Sequence, residues 1–251
     1  MSDINKIPVE GHIVIFGWDE FARTLIQELL NAGRYVCLIT DEQQHVSVLR
    51  EIYIKNTVSI VYADFNNFDL IKNYNIKKSH MVVVNLKEDT DKLVYIINLK
   101  NYFGDIHIVV PINNPELKDT FYNAGVIYPL SKEEITGKML GSFLFEQDVA
   151  LYEQVLLGAA RSSSGHDIKQ YRITGNNPFL GSSCGEVFRK LREKYNAVLL
   201  GLSKQQDGAR TLYKNPDGSL TIAENDYLII IINEENGALL QKDFGVSAGI
   251  S

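Results

Sequence analysis

Cysteine is scarce in this chain, with Cys37 and Cys184 its only two. A disulfide framework is therefore not expected, and a reducing compartment, the cytoplasm, is the expected location. Long apolar runs are missing too: no stretch approaches the roughly 18 consecutive apolar residues of a membrane span, and the opening MSDINKIPVEG lacks the apolar centre of a signal peptide. Any link to a membrane is expected to run through a partner or a further segment. Positive charge is in deficit, with 25 Lys and Arg against 31 Asp and Glu and a net charge of -6. That excludes general affinity for nucleic acid or anionic lipid, both of which need clustered cations. The five histidines, at 12, 45, 80, 107 and 166, show no metal-ligand spacing, and those at 12, 80 and 107 stand at strand starts as structural or surface groups. What is plentiful is apolar side chain, 45% of 251 residues, enough for a substantial core.

The apolar residues alternate between two patterns. His12 to Phe16 is a short, almost wholly apolar run stopped by Gly17, and Phe21, Leu25, Ile26, Leu29 and Leu30 follow at helical spacing. Strands are predicted over 35–39, 58–62, 81–84, 106–110, which closes on Pro111, and 126–128, with helices between them. This unbroken alternation predicts an α/β fold, a doubly wound parallel sheet with right-handed crossovers. From Ser131 to Ala160 one long helix is predicted, apolar on more than one face and carrying Gly137 and Gly141 as G-x-x-x-G. Outside a membrane that pattern indicates close approach of another element, here a second subunit. Ser162 to Gly165 reads as a hinge. Strands over 168–173, 198–202, 210–213 and 227–232 and helices over 186–195 and 237–242 then make a small α+β domain. The expected divisions are 1–130, 131–161 and 166–251.

The turn after the first strand is where a βαβ unit holds an anion against a helix N-terminus. The dinucleotide pattern wants glycine at the positions held by Gly17, Asp19 and Ala22, and only the first fits. A carboxylate at Asp19 repels a pyrophosphate, so full dinucleotide binding is weakened. Candidate ligand contacts are Gly17, Trp18, Asp19 and Glu20 in the turn, with Asp41, Asp64 and Asn85 at the ends of strands two, three and four. Asp41 and Asp64 could hold a ribose or adenine edge, although strand ends also carry Asp simply as a helix N-cap. Glu88, Asp89 and Asp91 form an acidic loop that solvated helix capping explains more simply than a divalent ion. Gly181 to Gly185 spells G-x-S-x-G, but no strand leads into it, so hydrolase chemistry is not expected. A helix start could lower the pKa of Cys184, but a buried or idle thiol is the expected state.

Four stretches together resemble the RCK family (regulators of potassium conductance). HIVIFGWDEFA is similar to the channel form of the first turn. Val61 to Val84 is similar to the family's Asp-ended third strand, short helix and fourth strand. Lys132 to Gly158 takes the place of the crossover helix that embraces a second subunit. NAVLLGLSK and Asn215 to Ile231 are similar to the C-terminal lobe, with Asn225 where the family usually has Gly. The resemblance implies a non-enzymatic, cytoplasmic ligand-sensing module of a potassium channel. It implies a homodimer built into an octameric gating ring beneath the pore, as a separate subunit or as a channel's tail. The ligand is unnamed; an adenine nucleotide or NAD is compatible with the family. The family's calcium positions correspond to Asn85, Pro111 and Asn113, which carry no charge, so that site is expected to be absent. A regulatory subunit of a Trk/Ktr transporter, which should carry a glycine-rich turn, and an NAD-linked oxidoreductase are the alternatives.

Overall fold

The computed structural model describes residues 10–53, 57–157, 166–206 and 209–249. The chain divides into two compact units, 1–151 and 152–251.

The first unit is a parallel sheet of β1 (Ile13–Phe16), β2 (Val36–Thr40), β3 (Val58–Tyr62), β4 (Met81–Val84), β5 (Ile108–Ile112) and β6 (Tyr128–Ser131). Their order is β3-β2-β1-β4-β5-β6. Because successive side chains leave opposite faces of a strand, β1 to β5 feed two cores. Ile13, Ile15, Val36, Leu38, Val58 and Ile60 pack with Ala22 and Ile26 of α1 (Glu20–Asn31) and with Val46 and Leu49 of α2 (Gln43–Ile52). Val14, Phe16, Cys37, Ile39, Val82 and Val84 pack on the other face with Tyr95, Ile96, Leu99 and Phe103 of α4 (Asp89–Phe103) and Phe121 of α5 (Lys118–Asn123). Coverage of both faces is why these strands read as continuous apolar runs rather than as alternating ones. The short α3 (Phe68–Ile71) lies between β3 and β4 in the chain. The connections reverse direction between β1 and β4, the switch point at which open α/β sheets leave a crevice.

Two strands are displaced from their expected places. β5 is Ile108–Ile112 rather than 106–110, and β6 is Tyr128–Ser131 rather than 126–128. Both contain a proline that a sequence reading takes as a stop. Pairing of β5 to β4 covers Ile108 and Val109, so Pro111, which has no amide hydrogen, sits beyond it. The long helix after β6 is two helices, α6 (Lys132–Phe145) and α7 (Gln147–Leu157), separated by Glu146 at φ -138° and ψ 70°. Neither proline nor glycine marks the break. The hinge expected at Ser162 to Gly165 and the end of the expected long helix, 158–160, lie outside the described residues.

The second unit is an antiparallel sheet of β7 (His166–Arg172), β8 (Val198–Gln206), β9 (Ala209–Lys214) and β10 (Tyr227–Asn233), in the order β7-β10-β8-β9. Val187 and Leu191 of α8 (Cys184–Tyr195) and Leu240 and Phe244 of α9 (Glu234–Phe244) pack with Tyr171, Leu228, Ile230 and Ile232. Asn225 stands at φ +69°. That left-handed conformation suits glycine and, among other residues, Asn best. Arg172 Nη2 donates to the Asn225 side chain at 2.7 Å.

Candidate functional site

The carboxyl edge of the parallel sheet gathers the candidate residues at neighbouring strand ends. Gly17 follows β1 at φ +93°, and a Cβ there would come within 2.2 Å of the Asn85 carbonyl oxygen. The Gly17 amide donates to the Ile39 carbonyl at 3.0 Å, and the Asn85 amide donates to that of Phe16 at 2.8 Å. The turn is thus pinned between β2 and β4, and only glycine fits.

Asp19 is the N-cap of α1. Its Oδ1 accepts the Ala22 amide at 2.8 Å and Asn85 Nδ2 at 2.7 Å. The helix N-terminus therefore already holds a carboxylate, clamped by the buried Asn85 from β4's end. Trp18 and Glu20 go elsewhere. The Trp18 ring meets Tyr53 edge-on at 6.4 Å beside α2, and Glu20 pairs in solvent with Arg23.

Asp41 and Asp64 follow β2 and β3, and neither is a helix N-cap. Glu42 and Asn67 hold those positions. The Asp41 carboxylate makes no hydrogen bond among the described residues, and the Glu42 amide instead donates to Thr40 Oγ1 at 3.2 Å. Asp64 Oδ1 closes a local turn by accepting the Asn66 amide at 2.9 Å.

Sequence reasoning missed Tyr95. From α4 its ring meets Phe16 edge-on at 5.2 Å, tilts against Phe65 at 5.7 Å and stacks on Phe68 at 5.9 Å. Phe16 precedes Gly17 and Phe65 follows Asp64, so the phenol lies beneath this edge. It is 5% exposed, and its hydroxyl has no hydrogen-bond partner among the described residues. Burial, reinforced by the charges of Asp41 and Asp64, pushes the phenol far above the ordinary tyrosine range. Only a helix apolar on several faces is visible around Tyr95, so the sequence offers no signal for it. Beside Asp64 an open depression of about 370 Å³ is lined by Asp64, Asn66, Asn67, Phe68, Asp69 and Tyr102. Asp69 is engaged there by Tyr102 at 2.6 Å and Lys72 at 3.3 Å.

The acidic loop differs from its expected form. Asp89 is buried, not solvated, and pairs with Lys92, itself 1% exposed, at 2.8 Å. The amides of Asn113 and Asn114, beyond β5, donate to the same carboxylate at 2.8 to 3.0 Å. Burial alone would raise its pKa, but these donors hold it below the usual aspartate value. Among the described residues no three Asp, Glu, His or Cys are grouped to hold a metal ion.

In the second unit Ser183 of G-x-S-x-G caps α8 through a reciprocal pair with Glu186, so its hydroxyl is spent on the helix. Cys184 is buried, as expected, and burial pushes its thiol up rather than letting the helix start lower it. Buried His12 has its pKa lowered by burial, and its Nε2 lies 3.1 Å from the Tyr74 carbonyl.

A different surface is left open on α6 and α7. No residue of α6 is buried, and Leu140, Leu144 and Phe145 are 61%, 71% and 88% exposed. A Cβ on Gly137 or Gly141 would meet nothing within 4 Å.

A doubly wound sheet with a switch-point crevice defines a Rossmann-type fold, here followed in the chain by a small α+β unit. That fold is shared with the human SLO3 gating ring at a TM-score of 0.66 and 12% identity, over 94% of this chain and 46% of that one. The GsuK RCK domain aligns over 95% of this chain and 48% of that one, at 19% identity and a TM-score of 0.48. The GsuK channel bound to NAD aligns over 96% and 40%, at 21% identity and 0.49. The chain thus spans less than half the length of each. No curated protein matches the sequence. Residues 13–131 match the TrkA-N domain model. This match and the gating-ring fold support the RCK resemblance.

Proposed function

We propose that this chain is a ligand-sensing regulatory module of RCK type, which pairs with a second copy through α6 and α7 and couples small-ligand binding to a potassium channel pore. The observation that carries the reading is the unburied apolar stripe of α6 with its two open glycines, on a chain with the fold of a gating ring. A large apolar surface left in water favours association. The ligand's place is the crevice at the carboxyl edge, lined by Gly17, Asp19, Asp41, Asp64 and Asn85, and its effect is differential affinity for two arrangements of the subunits. No catalytic step is assigned. Among the described residues no helix is long and apolar enough to cross a membrane, so in this reading the pore belongs to another chain or segment and the module lies on the cytoplasmic side, extended into a ring.

The TrkA-N match also favours a second reading, a regulatory subunit of a Trk/Ktr-type transporter. Asp19, standing where that form has glycine, weighs against it.

The test is a thermal-shift panel of ATP, ADP, AMP, NAD, NADH, cyclic di-AMP, calcium and sodium, extended by simple amines, on the whole chain. A ligand that binds only the folded state raises the midpoint. At least one member is expected to do so; a flat response across the panel at millimolar concentration would remove the sensing function.

A further inference from the structure

Taking as given the reading of the carboxyl edge as a ligand site, the chemistry of that edge points to a particular class of ligand. A nucleotide phosphate is the obvious guest of a βα turn, because the helix N-terminus offers free amides and a positive dipole end. Here that position is filled from within. Asp19 takes the Ala22 amide and the Asn85 side-chain amide, so a phosphate would have to displace a bonded carboxylate or sit against its charge.

The rest of the edge repeats the sign. Asp41 makes no hydrogen bond or ion pair among the described residues. Asp64 uses Oδ1 on Asn66 and leaves Oδ2 unbonded among those residues. The nearby Lys72 is engaged with Asp69. Beneath the two strand ends lies Tyr95, 5% exposed, its ring held by those of Phe16 and Phe65 and its hydroxyl without a hydrogen-bond partner among the described residues. A buried hydroxyl without a partner is a cost the fold carries unless something binds there. A phenol oxygen can accept a hydrogen bond, and the carboxylates can only accept while ionised. The missing group is therefore a donor with positive charge.

We propose that the carboxyl edge beyond the ends of β2 and β3 binds a small organic cation, an amine whose N–H groups donate to Asp41 and Asp64 and to the Tyr95 hydroxyl oxygen. Two features select an amine over a metal ion. A hard divalent ion wants several oxygen ligands, most of them carboxylates, and no such group of three is present among the described residues. The depression beside Asp64 adds aromatic surface in Phe68 and Tyr102, stacked at 5.4 Å, which suits methylenes or a second ammonium group.

The test is isothermal titration of the whole chain with putrescine and spermidine, with potassium chloride, magnesium chloride and AMP as separate arms at matched ionic strength. The amines are expected to bind, and Asp41→Asn or Asp64→Asn to weaken them at least tenfold while far-UV circular dichroism is unchanged. Tyr95→Phe removes a hydroxyl that makes no bond among the described residues, so it is expected to leave thermal stability equal or higher while weakening amine binding severalfold. Binding of AMP or of an inorganic cation without amine binding would overturn the proposal yet leave the sensing reading standing. Amine binding indifferent to both Asn variants would also overturn it. A chain that binds nothing in any arm or in the nucleotide panel sinks both.

Discussion

Two carboxylate settings at the same edge of one sheet behave in opposite ways. Beyond β4, Asp89 is buried and saturated: Lys92 and two backbone amides spend its acceptors, and it ties the start of α4 to the end of β5. Beyond β2 and β3, Asp41 and Asp64 stay exposed with acceptors left over among the described residues, above a phenol that likewise has no partner there. Residue type and strand-end position are shared, so neither tells structure from site. What separates them is whether the surroundings have already satisfied the charge.

The contrast is broken most severely on the saturated side. Lys92→Met leaves Asp89 buried without its cation, and is expected to cost about 3–5 kcal/mol of unfolding free energy, the usual loss when one partner of a buried pair is removed. Urea denaturation reads this directly, and a loss below about 1 kcal/mol would show the pair to be ornamental. Gly17→Ala comes next, at about 2–4 kcal/mol, since a side chain at φ +93° would also strike the Asn85 carbonyl. A pH series sharpens the comparison further. Because the folded-state pKa of Asp89 is depressed below 3.8, its contribution is fully present above the ordinary aspartate value and is lost as the pH falls through the folded value. Wild type is therefore expected to lose stability below about pH 4, and an Asp89→Asn variant to show a flatter acid limb. The smallest effect belongs to the unsatisfied side: Asp41→Asn is expected to change stability by no more than about 0.5 kcal/mol.

Much of this fold is legible without coordinates. β3 and β4 have the ends their apolar runs imply, and the second unit's strands and helices fall where period and turns place them. The misreadings share a cause. Pro111 and Pro129 look like stops, but a proline ends a strand only where its missing amide would be needed. The break at Glu146 carries no local signal, because it is a matter of backbone conformation and not of composition. At the candidate site, the strand ends and the odd Asp19 are visible in one dimension. The bond from Asn85 to Asp19 spans 66 positions, and Tyr95 hides in a helix apolar on several sides, so both needed the fold to bring them together.

The central claim is that the chain works as a subunit paired through α6 and α7, and the solution mass tests it most directly. Light scattering on the chain at micromolar concentration is predicted to give at least twice 28.3 kDa, falling toward the single-chain mass when Leu144 and Phe145 are replaced by Asp. A wild-type mass that stays at 28.3 kDa would contradict it.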